Sequence, residues 1–424
     1  MDYQKTVLKN GLRLITVPMP QMESVTAMIL VGAGSRYETK ETNGISHFLE
    51  HMVFKGTKKR PSALAISSAI DGIGADFNAA TGKEETLFYV KSARQHLGLA
   101  IDVLTDMVLE SKIALEEIER EKGVIIEEIN MYEDLPMRRV VEYFEKLLYP
   151  DSSLGWDIAG EKETIRKIER EDFLGYLGRL YFPQNLILVV AGGFTQNEAR
   201  KLAHKYLGSF GSKREKLPKP KEKFKQSGPQ VFLKTKKTDQ THLYLGVWGN
   251  PLGHKDRYIE AVLGSILGGG MSSRLFIQVR ERRGLAYYVR ADVEHYLDNG
   301  YLSTAAGVDT QRVEEAIKVI LEEYQKISKA SEISQKELNK AREFVKGRLI
   351  LDLEDSRNVA NLYGTQELLE GEIKTPEEIV AGIEKVTRED VARVAREFFT
   401  NERLNLAIIG PFEDKKPFEK ILKF

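Results

Sequence analysis

IEREDFLGYLGRLYFPQNLILVVAGGF (168–194) and VTREDVARVAREFFTNERLNLAIIGPF (386–412) are two copies of one pattern, aligned without a gap at a constant offset of 218 residues. Arg170, Glu171 and Asp172 meet Arg388, Glu389 and Asp390, and Leu186, Leu188 and Phe194 meet Leu404, Leu406 and Phe412. Each copy predicts a helix with an acidic first turn, a break at Pro183 or Asn401, and a short apolar strand ending at glycine. Outward from these, SVTAMILVGAG (24–34) and QTHLYLGVWGN (240–250) are a second pair of alternating strand patterns, 216 residues apart. Similarity at a fixed spacing marks a duplicated unit. Apolar spacing predicts helices over 97–118 and 312–329, and GADFNAATGKEETLFYVKS (74–92) predicts two short strands around a turn at Gly82. Strands and helices do not alternate strictly. The expected fold class is therefore α+β: two homologous α/β domains from an internal duplication, each a mostly antiparallel sheet packed with helices. The expected domains are 1–211 and 229–424. Between them, SKREKLPKPKEKFKQSG (212–228) is rich in Lys, Pro and Gly without an apolar period, as an exposed linker would be.

The bulk numbers agree with a globular chain of two or three domains. It has 424 residues, 42% hydrophobic and 30% charged. Lys plus Arg and Asp plus Glu are 63 each, so the net charge is zero. That argues against nucleic acid or anionic lipid as partners held by bulk electrostatics. With no cysteine, disulfides, thiolate metal sites and a Cys nucleophile are excluded, and a reducing compartment fits. The opening MDYQKTVLKNGLRLITV reads as a strand rather than a signal peptide, and the apolar runs at 27–31 and 186–191 are too short for a bilayer. A cytoplasmic protein without membrane segments is expected.

Of seven histidines, two lie four apart in GISHFLEHMVF (44–54). On a helix His47 and His51 share a face and can grip one zinc ion. Glu50 projects beside that face, where a carboxylate can take a proton from water activated by the metal. The order H-x-x-E-H inverts the commoner H-E-x-x-H. The plain alternative is a pair of ordinary helix histidines, with Ser46 or Asn43 as cap and Ile45, Phe48, Leu49 and Met52 as the apolar face. A third ligand is available in EEIEREKGVIIEEINMYED (116–134), where Glu121 and Glu128 are seven apart and share a helix face. One can coordinate while the other supports the site. Most carboxylates of so acidic a helix must be solvated.

HFLEHMVFKGT (47–57), VIIEEI (124–129) and MSSRLFIQVRERRGLAYYV (271–289), in that order, resemble the inverzincin zinc metallopeptidases. This is the family of pitrilysin, insulin-degrading enzyme and the mitochondrial processing peptidase, and the length resembles its short bacterial members. The resemblance implies a zinc-dependent endopeptidase acting on short or unfolded peptides in a closed chamber. It implies His47, His51 and Glu128 as ligands of one Zn²⁺ per chain, Glu50 as general base and Glu121 as supporting carboxylate. Glu127, about 100° around the helix, is the rival register to Glu128. Arg280 and Tyr287 match the family's Arg/Tyr pair near the scissile peptide. The plain alternative there is a solvated arginine and a core tyrosine. Phe77, Asn78 and Ala79, before the T-x-x-E-x-T turn, match its peptide-binding edge strand, which would accept substrate as an added strand. AVLGSILGGG (261–270), the second-half counterpart of the H-x-x-E-H segment, holds no His and no acid. Four domains close the chamber in larger relatives and this chain has two, so a homodimer with composite active sites is expected, a heterodimer with a related chain being the variant. The rival functions are a non-catalytic assembly subunit and a peptide-binding module of the same fold.

Overall fold

The computed structural model describes residues 1–211, 214, 221–222 and 225–424, so most of the expected linker 212–228 lies outside the described residues. Both copies of the repeat fold as their sequence directs. Arg170–Leu180 and Arg388–Phe398 are helices. Their starts are closed the same way: the Asp172 carboxylate accepts from the Glu169 N–H at 2.9 Å, and the Asp390 carboxylate from the Thr387 N–H at 3.0 Å. This third-position acid satisfies a donor that the helix leaves orphaned. Single turns follow at Pro183–Asn185 and Asn401–Arg403, then the two apolar strands.

In chain order the strands are β1 Gln4–Val7, β2 Arg13–Pro18, β3 Ser24–Val31, β4 Asp76–Thr81, β5 Thr86–Ala93 and β6 Leu186–Gly192, then β7 Gln230–Thr235, β8 Gln240–Gly249, β9 Ala286–His295, β10 Gly300–Asp309 and β11 Leu404–Gly410. They form one sheet in the order β1-β2-β6-β3-β5-β4 and another in the order β7-β11-β8-β10-β9. Without β1 the two orders correspond strand for strand. Each sheet has one parallel pair, β2 with β6 and β7 with β11, and is otherwise antiparallel. The register repeats as well: Leu186 pairs with Val31 and Leu404 with Val247, reproducing the offsets of 218 and 216. The fold is α+β and duplicated.

Two elements differ from the sequence pattern. β3 is buried from Val25 to Val31, not on one face only. Helices Leu97–Glu110 and Ser356–Thr365 both pack on it, so its more polar positions are covered too. The single helix expected over 97–118 ends at Glu110 and restarts at Leu115. Ser111 forms a β-bridge with Thr57, and Ile113 takes a left-handed φ of 45°, which no helix accommodates.

Two compact units are present, and each borrows a segment across the sequence midpoint. Leu351–Thr375 belongs to the unit of the first sheet, and Met131–Gly155 to the unit of the second. The expected boundaries of 1–211 and 229–424 thus divide the strands but not these two segments. In the first unit, Ser356–Thr365 lies on β2, β3, β5 and β6. Gly364 lets it approach closely, since a Cβ there would stand 2.4 Å from Leu30 Cδ1. The buried hydroxyls of Thr26 and Ser356 hydrogen-bond at 2.8 Å. In the second unit, Pro136–Leu148 lies on β7, β8 and β11, with the Phe144 ring edge-on to Tyr244 and Tyr301. Among the described residues no helix is long and apolar enough to cross a membrane.

Candidate metal centre

The H-x-x-E-H segment forms the helix Ile45–Met52. Its apolar face is buried as expected, with Phe48 edge-on to Phe173 at a centroid distance of 4.9 Å. Its cap is neither Ser46 nor Asn43. Gly44 occupies the cap position with φ of 97°, and the carboxylate of Glu38 takes over the capping role. Glu38 accepts from the N–H of Gly44 at 2.8 Å, the N–H of Ser46 at 2.9 Å, the Ser46 hydroxyl at 2.5 Å and Asn43 Nδ2 at 2.9 Å. A carboxylate suits the positive end of the helix dipole. Burial nevertheless pushes the Glu38 carboxyl up to about 7, against the pull of these hydrogen bonds.

The helix directs His47 and His51 to one side, their rings edge-to-face at 4.7 Å between centroids. Across from them runs Leu115–Glu133, whose buried stripe is Ile118, Glu121, Ile125 and Ile129. Glu128 flanks that stripe, and its Oε2 lies 3.6 Å from His47 Nε2 and 3.5 Å from His51 Nε2. Donor atoms of these three residues all lie within 4.8 Å of one another, the one such group among the described residues. Glu127 is exposed, so Glu128 is the register that meets the imidazoles. Glu121 stands behind His51, 2.9 Å from its Nδ1. That contact fixes Nδ1 as the donor and leaves Nε2 for Glu128. Lys55 holds the other Glu121 oxygen at 2.6 Å. Burial opposes ionisation of Glu121, but the hydrogen bonds from His51 and Lys55 outweigh it and hold its carboxyl below the usual range. Burial likewise opposes charge on His51, yet Glu121 and Glu128 raise it to about 9. A site that holds a proton so firmly has the charge a cation needs. Two imidazoles and a carboxylate, one imidazole backed by a second carboxylate, make a donor set that suits zinc.

Glu50 lies beside this group, and its Oε2 accepts from the Thr81 hydroxyl at 2.5 Å. Burial holds the Glu50 carboxyl above its ordinary value, against the Thr81 hydrogen bond and the charge of His51. Thr81 ends β4, the edge strand that carries Phe77, Asn78 and Ala79. Asn78 is exposed, and Phe77 packs on Phe54 at 5.8 Å between centroids. Thr81, Lys55 and Glu38 are partners that the sequence reading missed. Lys55 had a visible signal, four residues after His51. Thr81 and Glu38 had none, because strand and loop reach the helix only through tertiary packing.

Arg280 and Tyr287 lie in the second unit. Arg280 lies in a π-helical turn, Phe276–Glu281, and its guanidinium carbon sits 4.8 Å from the Phe276 ring centroid and 5.7 Å from that of Tyr287. Tyr287 is 72% exposed near the start of edge strand β9, so it is not a core tyrosine. Arg280 is half-buried against two rings, not a solvated helix charge.

Comparison with known proteins agrees with this architecture. Residues 13–162 match the family model described as "Insulinase (Peptidase family M16)", and residues 167–345 match "Peptidase M16 inactive domain". The chain is 38% identical over 403 residues to the uncharacterized zinc protease YmxG of Bacillus subtilis, spanning 95% of this chain and 97% of that protein. It is 35% identical over 418 residues to an uncharacterized zinc protease of Streptomyces coelicolor, spanning 97% and 90%. A protease from Helicobacter pylori shares the fold at a TM-score of 0.91 and 24% identity, over 97% of this chain and 99% of that chain. A chain of complex III2 from Candida albicans shares it at 0.85 and 18%, over 99% and 100%. Full-length likeness to bacterial relatives, with family models matching both halves, makes this chain a member of peptidase family M16, of its short bacterial type.

Proposed function

We propose that the protein is a zinc-dependent endopeptidase that hydrolyses short or unfolded peptides. The observation that carries this reading is the convergence of His47, His51 and Glu128 from two helices, with Glu50 beside them. His47, His51 and Glu128 hold one zinc per chain, and Glu121 with Lys55 keeps His51 in the ligating tautomer. Zinc held there supplies Lewis acidity toward the scissile carbonyl and lowers the pKa of water. Glu50, held by Thr81, accepts the proton of the attacking water and returns it to the leaving amine. The edge of β4 aligns the peptide backbone by strand addition, with Phe77, Asn78 and Ala79 beneath it. Arg280 and Tyr287 donate to substrate carbonyls as negative charge develops, and a partner protomer in a dimer with composite sites supplies them.

The named zinc proteases among the relatives support this reading. Two rivals use the same fold, a non-catalytic assembly subunit and a module that captures peptides without cutting them; a chain of complex III2 shares that fold. The endopeptidase reading separates from both on product analysis of a mixed peptide pool by mass spectrometry. The endopeptidase reading expects cleavage that falls about 10²–10⁴-fold in Glu50→Gln while zinc binding persists. Cleavage undiminished in that variant, or after exhaustive chelation, overturns it.

A further inference from the structure

Two adjacent tyrosines, Tyr287 and Tyr288, stand near the start of β9, and the proposed reaction uses only the first. On an even strand they would point to opposite faces. The pairing of β9 with β10 instead slips by one residue. Gly307 pairs with Tyr288 and Val308 with Ala286, so Tyr287 has no partner and is the extra residue of a β-bulge. Burial follows the same slip. Ala286 and Val289 both join the core on one face of the sheet, which their spacing on an even strand would forbid. Tyr288 packs on the other face, against the aromatic cluster of Phe144, Tyr244 and Tyr301, while Tyr287 is left exposed. The corresponding edge strand of the first sheet, β4, pairs with β5 in even register from Asp76 to Thr81.

The slip is held by a contact across three strands. Gly307 of β10 pairs with Tyr288 on one side and with His242 of β8 on the other. A Cβ at Gly307 would stand 2.4 Å from Tyr288 Cε1 and 2.8 Å from Gln240 Oε1, so glycine leaves the room in which the ring crosses β10. The Tyr288 hydroxyl then meets His242 Nδ1 at 3.1 Å. Burial favours the neutral form of both partners, holding His242 below its ordinary value and pushing the Tyr288 hydroxyl up to about 12. The entry to the strand is tied as well. The Leu285 N–H donates to the Val279 carbonyl at 2.8 Å, and the Leu285 carbonyl accepts from the Asp309 N–H at 3.0 Å. An even register would turn Tyr287 toward the core face instead.

We propose that Tyr288, His242 and Gly307 are positioning residues for Tyr287: the Tyr288–His242 clasp over Gly307 fixes the bulge that aims the Tyr287 hydroxyl out from the sheet edge toward bound peptide. The inference rests on the proposed function for what that hydroxyl does, not for where it is held. His242 acts from two strands away, through Tyr288 alone.

The test uses the full chain with its tyrosines isotope-labelled at the hydroxyl-bearing carbon, the Tyr287 resonance being assigned by its absence in Tyr287→Phe. His242→Leu is expected to shift or broaden that line and to lower kcat on a quenched peptide about 10–100-fold, with KM held within about two-fold. Tyr288→Phe should lose as much activity. His242→Asn, which keeps a polar atom in the place of Nδ1, should restore both line and rate. Near-ultraviolet circular dichroism checks that each variant is folded. A Tyr287 line that stays in place in His242→Leu, or a kcat unchanged while the line moves, overturns the proposal. A wild-type chain that cleaves no peptide, but whose line moves in His242→Leu, upholds the clasp and rejects the peptidase reading instead.

Discussion

At the scale of single residues, two carboxylates are informative because they are buried. Glu121 is 2% exposed and meets His51, one of the proposed zinc ligands, at 2.9 Å. Glu121→Gln keeps the shape but weakens the grip on Nδ1–H. The expected result is a 10–100-fold loss of zinc affinity, read by competition with a chromophoric chelator. Unchanged affinity would deny Glu121 a role at the metal. Glu38 gives a pH signature. Its carboxyl is raised to about 7 by burial, from an ordinary 4.5. The neutral form is therefore favoured by folding. Its stabilisation is complete below about pH 4.5 and is lost as pH rises through about 7, worth about 3 kcal/mol in all. Glu38→Gln cannot accept from both sides and should be less stable by a constant offset, but it lacks this slope. Denaturation curves from about pH 5 to about pH 8 that stay parallel for the two proteins would show that Glu38 does not titrate in this range.

At the scale of elements, the borrowed helix Ser356–Thr365 makes a sharp packing test. Gly364→Ala adds helix propensity worth about 1 kcal/mol. It also puts a methyl 2.4 Å from Leu30 Cδ1 and 3.0 Å from Val189 Cγ2, in a covered sheet face. Overpacking costs typically about 1–3 kcal/mol, so the clash wins and a net loss is expected by chemical denaturation. A gain would mean that the helix is not seated closely on β3. The repeat helices were legible at this scale, because the third-position acid and the glycine stop are local signals. The break at Ser111–Ala114 was not, since the bridge to Thr57 depends on a strand-like contact with a distant loop.

At the scale of the whole molecule, Glu50 lies in one unit and the Arg280–Tyr287 pair in the other. The composite-dimer proposal is tested by mixing Glu50→Gln with Tyr287→Phe protomers. Activity above that of either parent is expected, because exchanged dimers regain one intact site. Activity that never exceeds the parents removes the composite site. The sequence reading found the duplication and named His47, His51 and Glu128, three residues whose donor atoms converge in the folded chain.

The amino-acid sequence by itself determined the strand and helix periods, the two offsets, the helix that pairs His47 with His51, and the choice between a few candidate glutamates. Those are local properties, set by spacing along one element. Only the tertiary structure decided that Glu128 and not Glu127 faces the imidazoles, that Glu38 caps the metal helix, that Thr81 reaches Glu50, and that Leu351–Thr375 and Met131–Gly155 each cover the sheet built mainly by the other half. Each of these joins residues far apart in the chain, and which distant surfaces meet is settled by burial of whole faces, a quantity that no short stretch of sequence contains.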